Sequence, residues 1–387
     1  MVVYVLICLG VSFLYLIIQW NLRLVFNSNP TSDILDLKIH SKKVSAVIPC
    51  RNEINTIIQR IVDIQNSSYP NHLIEIIIID DFSDDGTSII VQEFLQKTPN
   101  SNIKLLSLSD IATNDNLPHK KLAIEFAIKN ASGEYILLSD ADCHNQPTWV
   151  SAMVQHLENN QLDLATGPVL INAPKSKFDY FQGLDFAAMM GVTCAGIHSK
   201  KFFLANGANL IFTKSAFDAV GGYSDYRHVA SGDDVFLAKK ISERFPNKIG
   251  FVKSADAIVY TNALPTWNQF IHQRLRWSGK TNLLRNNWIN GIALSIGLHH
   301  VLILTSVLGL LIDFQTFGKL LFFQLSVKIF IDYAFLSDIT KVFKTEYLLK
   351  YFPSAEFYHL VYLPIVAVLS VFGLKPKWKG RLVPSVK

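Results

Sequence analysis

Apolar residues dominate both ends of the chain, and a mixed apolar and polar pattern fills its middle. Residues 2–20 carry no charge and are almost wholly apolar, about the length that crosses a hydrocarbon core. A cleavable signal peptide would have a basic start, a shorter apolar run and a small-residue cleavage site, and the sequence has none of these. We therefore predict a retained transmembrane anchor over residues 1–24.

The last third of the chain is apolar again and predicts further transmembrane helices. Two runs, 292–312 and 356–373, are long enough to span a bilayer. A third run, 320–336, is weaker because it contains charged residues, although Lys328 and Asp332 stand four apart and can pair on one helix face. Two or three passes each leave basic residues on the wrong side under the positive-inside rule, so the number of spans stays open.

Residues 42–263 alternate between short β-branched runs and helical patterns. Apolar runs at 44–48, 76–79 and 135–138 predict buried strands. Apolar residues at helical spacing follow each of the first two runs. This alternation predicts an α/β fold with a parallel sheet covered by helices on both faces, in which ligands bind beyond the carboxyl ends of the strands.

Composition and charge narrow the class of protein. The chain is 50% hydrophobic and 12% aromatic, as expected for apolar helices joined to one globular domain. Its net charge of +5 is spread without a basic run, so we expect no nucleic-acid partner. The basic residues that follow the anchor predict a cytosolic domain. The four cysteines are far apart, which predicts unpaired thiols in a reducing compartment.

Three polar clusters follow predicted strands. Asp140 and Asp142 stand one residue apart, and paired carboxylates suit Mg²⁺ or Mn²⁺, although Asp is also common in ordinary turns. The loop from Asp80 to Thr87 is acidic; helix capping explains its last residues but not Asp80 and Asp81. The third cluster is Pro49-Cys50-Arg51-Asn52-Glu53. Asn52 or Glu53 can also serve simply as a cap of the helix that follows.

Two later segments also carry candidate chemistry. Asp233 and Asp234 are adjacent carboxylates, which tend to raise one pKa and favour a general base; complementing a helix dipole is the alternative. The segment 264–290 combines Arg and Lys with aromatic residues, a pattern typical of an interfacial amphipathic helix. Both interpretations of that segment can hold at once.

These clusters, in this order, resemble the glycosyltransferase family 2 domain, which has the GT-A nucleotide-diphospho-sugar transferase fold. One departure is Asp233, where the family usually has Glu. Further matching segments are Pro118-His119-Lys120 with Ala127-Ile128 and Gly133, Gly207-Ala208-Asn209, Val220-Gly221-Gly222-Tyr223, Ser231-Gly232-Asp233-Asp234-Val235-Phe236-Leu237, Gln273-Arg274-Leu275-Arg276-Trp277 and Trp378-Lys379-Gly380-Arg381.

The resemblance implies a role for each matching residue. The implied roles are nucleotide-sugar binding for Pro49, Arg51, Glu53, Asp81, Lys120 and Asp140, metal binding for Asp142 with Asp140, diphosphate or acceptor contacts for Gln273, Arg276 and Trp277, and general base for Asp234 beside Asp233. It implies an inverting transfer from a nucleotide-diphospho-sugar, expected to be a UDP-sugar, with Mg²⁺ or Mn²⁺ as cofactor.

The expected protein is an integral protein of the plasma (inner) membrane that extends a polysaccharide. The alternative is a single transfer to a lipid or polyprenyl-linked acceptor. A transporter would carry its ionisable residues within the spans, and an inactive scaffold would have lost a motif. The predicted organisation is an anchor at 1–24, a GT-A domain at 42–263, an interfacial segment at 264–290, transmembrane helices at 291–373 and a basic tail at 374–387.

Overall fold

The chain forms two compact units. The helical unit comprises Met1–Asn29, Ala173–Phe202 and Ala263–Lys387, and the sheet unit comprises Pro30–Asn172 and Phe203–Asn262. The computed structural model describes residues 1–32, 41–99, 102–111, 119–227, 229, 231–284, 286–372, 374, 377–378 and 381–382.

The helices and strands are numbered along the chain. The α-helices are α1 (Val2–Ser28), α2 (Ile57–Gln65), α3 (Thr87–Lys97), α4 (His119–Lys129), α5 (Trp149–Asn159), α6 (Lys177–His198), α7 (Lys214–Ala219), α8 (Asp233–Arg244), α9 (Trp267–Leu284), α10 (Asn287–Gly309), α11 (Phe314–Val342) and α12 (Phe352–Val371). The strands are β1 (Val44–Cys50), β2 (Ile74–Asp80), β3 (Ile103–Ser107), β4 (Tyr135–Leu138), β5 (His144–Asn145), β6 (Leu164–Thr166), β7 (Val169–Ile171), β8 (Leu210–Thr213), β9 (Ile249–Phe251), β10 (Val259–Thr261), β11 (Lys377–Trp378) and β12 (Arg381–Leu382).

A seven-stranded sheet in the order β3-β2-β1-β4-β8-β6-β9 forms the core of the sheet unit. Strands β3, β2, β1 and β4 are parallel neighbours, and β8 runs antiparallel to β4 and β6. All seven residues of the isoleucine-rich strand β2 are buried, as expected for a parallel strand covered on both faces. The predicted α/β fold with a mostly parallel sheet is confirmed.

The register of the sheet sets the position of the polar loops. Cys50 at the end of β1 lies opposite Asp80 at the end of β2, and Val47 lies opposite Leu138 at the end of β4. Because these strands are parallel, the loops that follow them leave from the same edge of the sheet. A smaller sheet in the order β5-β10-β7 completes the strand pairing of this unit.

Within its described residues, the helical unit contains four helices that are long and apolar enough to cross a membrane. Several of their large apolar side chains are exposed; Leu308 is 65% exposed and Phe322 75%. Such exposure is unfavourable in water and is expected where lipid covers the surface. The four candidate spans are Val2–Ser28, Asn287–Gly309, Phe314–Val342 and Glu346–Ser370.

The weakest predicted span is one of these four helices, and its charges are paired. Lys328 is completely buried, and its Nζ lies 2.6 Å from Asp332 Oδ2 on the same helix and contacts Glu356 on α12. Asp332 also accepts a hydrogen bond from Tyr15 of α1 at 2.6 Å. The predicted pairing of Lys328 with Asp332 is confirmed, and it lowers the cost of placing these charges among apolar helices.

The structure differs from the predicted organisation at α6. We expected residues 42–263 to form one continuous domain, but Ala173–Phe202 belongs to the helical unit. Helix α6 has buried residues on all sides, a pattern that does not distinguish a soluble core from a helical bundle.

Other predictions concern the tail and the cysteines. Most of the basic tail at 374–387 lies outside the described residues. All four cysteines are buried thiols that form no disulfide bond, as predicted.

Candidate active site

The loops after β1 and β2 hold one another at the carboxyl edge of the sheet. Arg51 donates from Nη1 to the carbonyl oxygen of Asp81 at 2.8 Å, and the backbone N–H of Asp81 donates to the carbonyl of Cys50 at 2.8 Å. Asn52 and Asp84 exchange two hydrogen bonds, of 2.8 and 3.0 Å. These bonds fix the position of Asp81, whose side chain is buried.

Asp85 joins the starts of two helices. Its carboxylate accepts from the backbone N–H of Thr87 at 2.9 Å and from that of Ile54 at 3.1 Å. Burial acts to raise the pKa of Asp85, but these hydrogen bonds outweigh it and the pKa is lowered. Glu53 accepts a hydrogen bond from Thr56 at 2.8 Å, and Pro49 lies within β1 opposite Ile79. Asp85 is therefore structural, as the capping alternative predicted.

Lys120 joins the loop after β4 to the start of α8. Its Nζ lies 2.9 Å from Asp140 Oδ1 and 3.6 Å from Asp233 Oδ2. Burial acts to lower the pKa of Lys120, but the charges of Asp140 and Asp233 dominate and the pKa is raised. Since Asp234 follows Asp233 directly, a cation and three carboxylates, one from the loop after β4 and two from the start of α8, lie together at the sheet edge.

Asp234 is held by the backbone. It lies in the first turn of α8, after Gly232 in the left-handed region at φ 87°. Its Oδ2 accepts from the backbone N–H of Gly207 at 3.1 Å, and its Oδ1 accepts from that of Val235 at 2.8 Å. The side chain is only 9% exposed. Asp233 instead faces Lys120, so the two adjacent carboxylates have different partners.

Asp142 completes the Asp140-Ala141-Asp142 loop. It is half-buried and accepts a weak hydrogen bond from the thiol of Cys143 at 3.8 Å. Among the described residues no group of three or more His, Cys, Asp or Glu side chains is arranged to hold a metal. Two carboxylates nevertheless fit Mg²⁺ or Mn²⁺, because such ions are commonly held by one or two carboxylates together with substrate phosphates.

Lys121 is a functional candidate that the sequence did not indicate. Its buried Nζ donates to the carbonyl oxygens of Tyr226, Val229 and Ser231, at 2.9, 2.6 and 3.0 Å. These carbonyls lie in the segment that leads into Asp233 and Asp234. Two adjacent lysines at the start of one helix were the available signal, but only the first was assigned a role.

Arg60 is a second candidate that the sequence did not indicate. It is completely buried on α2, stacks over Trp149 at 4.7 Å and contacts Asn145. Burial lowers the pKa of Arg60, while nearby Cys143, Asp63, Asp140 and Asp142 act to raise it. A buried cation therefore lies behind the Asp140–Asp142 loop.

The remaining predicted residues lie on α9 in the helical unit. Gln273 and Arg276 are half-buried, and Gln273 Oε1 accepts from Arg274 Nη1 at 2.6 Å. The ring centroid of Trp277 lies 4.4 Å from Arg274 Cζ. Arg274 itself is buried, unlike the exposed basic side chains that are typical of an interfacial amphipathic helix.

Comparison with family models gives two matches. "Glycosyl transferase family 2" matches residues 45–220. "Glycosyl transferase family group 2" matches residues 135–372, more than half of the chain.

Curated relatives of the chain also point to the glycosyltransferases. Glycosyltransferase AglE of Haloferax volcanii is 24% identical over 205 residues, covering 52% of this chain and 61% of that protein. Poly-beta-1,6-N-acetyl-D-glucosamine synthase of Staphylococcus epidermidis is 27% identical over 249 residues, covering 63% of this chain and 56% of that protein. The chain thus spans between 56% and 61% of the length of these two relatives.

A solved structure has a similar fold. The mannosyltransferase PcManGT from Pyrobaculum calidifontis, in complex with GDP-Man and Mn²⁺, has a TM-score of 0.61 over 96% of this chain and 98% of that chain. The identity is 16%, so the likeness concerns the fold. It agrees with the predicted GT-A architecture.

Proposed function

The chain belongs to glycosyl transferase family 2, and from this premise we propose that it is a membrane-bound, inverting enzyme that transfers a sugar from a UDP-sugar to a growing polysaccharide. That it is a glycosyltransferase follows from the family. The donor, the stereochemical course and the acceptor are our proposal.

One observation carries the proposed mechanism: Lys120, Asp140 and Asp233 form a charged cluster beside Asp234, whose carboxylate is held by the N–H of Gly207. In the proposed reaction Asp234 takes the proton of the acceptor hydroxyl while that oxygen attacks the anomeric carbon. The bond from that carbon to the diphosphate breaks, and the nucleoside diphosphate leaves with the electron pair. We favour Asp234 over Asp233 as the base because Asp233 pairs with Lys120.

Negative charge grows on the leaving diphosphate, and cations placed beside it lower the barrier. A well-placed group of this kind contributes about 3 kcal/mol, a role we assign to Lys120 and Arg276. Asp140 and Asp142 would hold Mg²⁺ or Mn²⁺, which supplies further charge neutralisation for the diphosphate when bound. In the same proposal Asp81, Arg51, Glu53 and Pro49 surround the nucleoside, and Gln273 and Trp277 contact the acceptor.

The orientation in the membrane is also a proposal. Arg23 and Lys42 lie on the C-terminal side of the first apolar run, which favours a cytosolic sheet unit and a plasma (inner) membrane location. Reporter fusions after α1 and after α12 test this orientation. A reporter after α1 that is active only outside the cytosol would contradict it.

Product analysis tests the function. The full chain, purified in lipid nanodiscs, is incubated with labelled UDP- and GDP-sugars, with and without EDTA, and product length is measured. We expect long glycan chains from one UDP-sugar and no product from the Asp234→Asn variant. Asp218→Asn, at an exposed position of α7, is the control and is expected to remain active.

Other outcomes decide between the alternatives. Addition of a single sugar to a lipid or polyprenyl carrier would replace the polysaccharide proposal with the single-transfer enzyme. Transfer from a GDP-sugar alone would overturn the donor. Full transfer by a folded Asp234→Asn variant would overturn the assignment of the base.

A further inference from the structure

Arg274 is the charged residue of the Gln273–Trp277 segment to which the proposed mechanism gives no task, yet its side chain is the more buried of the two arginines there. It is 6% exposed, whereas Gln273 and Trp277 are half-buried. A buried guanidinium requires a counter-charge and hydrogen-bond acceptors. In the helical unit both are supplied by Asp185 of α6.

Asp185 divides its two oxygens between two partners. Its Oδ2 accepts from Arg274 Nη2, and its Oδ1 accepts from the hydroxyl of Tyr362 on α12 at 2.7 Å. Both members of the ion pair have side chains that are 6% exposed. Three helices are therefore joined through one buried carboxylate, and the guanidinium has a fixed orientation.

That orientation sets the side chain of Gln273. Arg274 donates from Nη1 to Gln273 Oε1 at 2.6 Å, and arginine has only donors. The amide oxygen of Gln273 therefore faces Arg274, and its amide nitrogen, which carries two donors, faces away. A ligand that meets this nitrogen must present an acceptor oxygen, as a sugar hydroxyl or ring oxygen does.

The same guanidinium also fixes the indole of Trp277. Its Cζ lies 4.4 Å from the Trp277 ring centroid and 4.3 Å from that of Phe270. Phe186, next to Asp185, packs edge-on against Trp277 with ring centroids 5.6 Å apart. An aromatic ring held in this way offers a rigid apolar surface for a sugar ring at little further loss of side-chain entropy.

We propose that Asp185, Arg274 and Tyr362 are positioning residues that hold Gln273 as a hydrogen-bond donor and Trp277 as a fixed platform for the sugar acceptor. This inference rests on the proposed function, because it takes Gln273 and Trp277 to contact the acceptor. It assigns roles to two residues outside the motif, one on α6 and one on α12. It also explains why arginine stands at 274, since lysine cannot reach Asp185 and Gln273 with a planar pair of donors.

The central test replaces the buried pair with apolar residues of similar size. An Arg274→Met, Asp185→Leu double variant leaves no unpaired charge, and such exchanges commonly preserve the fold. The full chain in nanodiscs is assayed for thermal unfolding, donor hydrolysis by water, and transfer to a glycan acceptor. We expect unfolding and donor KM close to wild type and a rise of about 10- to 100-fold in acceptor KM, the scale expected for misplaced binding groups.

Two further variants separate positioning from stability. Gln273→Glu keeps an oxygen for Arg274 but removes the amide donors, so we expect a stable protein with the same acceptor defect. Tyr362→Phe removes one hydrogen bond and leaves the ion pair, so we expect a smaller rise in acceptor KM with donor KM unchanged. Arg23→Met with Asp338→Leu, which replaces another ion pair of the helical unit, is the matched control.

The outcomes distinguish the inference from its premise. If Gln273→Glu and Trp277→Ala both transfer like the wild type, the acceptor role of α9 is wrong and the inference falls with it. If those variants are defective but the Arg274→Met, Asp185→Leu variant has a normal acceptor KM, only the positioning role is overturned. Should the double variant fail to fold, an unchanged acceptor KM in Tyr362→Phe overturns the positioning role instead.

Discussion

The backbone N–H of Gly207 donates to Asp234 Oδ2 at 3.1 Å, and a side chain at position 207 would crowd the same cluster. A Cβ on Gly207 would lie 3.2 Å from Asp233 Oδ2 and 3.8 Å from Lys120 Nζ. The absence of a side chain at Gly207 thus permits the close approach of its N–H to the proposed base.

Substitution of Gly207 by Ala is expected to reduce sugar transfer without unfolding the protein. The added methyl displaces Asp233 by a few tenths of an ångström and disturbs Asp234, and misplacement of reacting groups costs up to about 100-fold in rate. Steady-state kcat, measured with circular dichroism as a check on folding, tests this. Gly291→Ala, where nothing lies within 4 Å of the added Cβ, is the control; a wild-type kcat for Gly207→Ala would contradict the prediction.

Lys121→Met is expected to lower kcat by about 10-fold or more while leaving donor affinity unchanged. The change removes the donor shared by the carbonyls of Tyr226, Val229 and Ser231, so the segment before Asp233 loses its support. Transfer kinetics and UDP binding are measured on the same preparation. Lys129→Met, at the exposed end of the same helix, should behave as wild type, and an equal loss in both variants would refute a specific role for Lys121.

The sequence predicted the strand-end clusters because a strand's apolar run reveals where it ends. Asp81 and Asp140 follow such runs, and parallel strands bring their carboxyl ends to one edge. Lys121 could not be separated from Lys120 in this way, since the rotation of α4 decides which lysine faces which loop. The pairing of Asp185 with Arg274 could not be predicted either, because the two residues stand 89 positions apart and no local sequence pattern joins them. Long-range side-chain pairing depends on tertiary packing rather than on periodicity.

Removal of divalent cations with EDTA is expected to abolish transfer, and Mn²⁺ or Mg²⁺ to restore it. Asp142→Asn weakens a two-carboxylate site, so this variant should need a higher Mn²⁺ concentration for half-maximal transfer. Titration of transfer rate against Mn²⁺ measures the difference. Asp110→Asn, an exposed position, should titrate as the wild type does, and undiminished transfer in EDTA would argue against a metal.

Lys328→Met is expected to destabilise the helical unit by about 3–5 kcal/mol. The substitution leaves Asp332 and Glu356, both largely buried, without their shared cation. A Lys328→Met, Asp332→Leu, Glu356→Leu triple variant removes all three charges and should recover most of the stability. Thermal unfolding in detergent, followed by tryptophan fluorescence, compares them; equal midpoints for wild type and Lys328→Met would show that the buried charges are not coupled.

Glu75 is expected to make the stability of the sheet unit depend on pH in the acidic range. The residue is 4% exposed, and its carboxylate accepts hydrogen bonds from Ser45 at 2.5 Å and Ser132 at 2.9 Å and pairs with Lys104 at 2.6 Å. Burial acts to raise the pKa of Glu75, but these partners outweigh it and lower the pKa to about 2. The ordinary pKa of Glu is about 4.3.

The pKa of Glu75 is lower in the folded chain than in the unfolded chain. At a pH between these two pKa values, the unfolded chain therefore binds more protons. The stabilisation is therefore complete above about pH 5 and is lost as the pH falls towards about 2. A shift of this size corresponds to about 3 kcal/mol. Glu75→Gln cannot ionise, so its unfolding midpoint should lie below the wild-type midpoint near pH 7 and approach it near pH 2.5. A constant difference between the two proteins over this range would exclude Glu75 as the source.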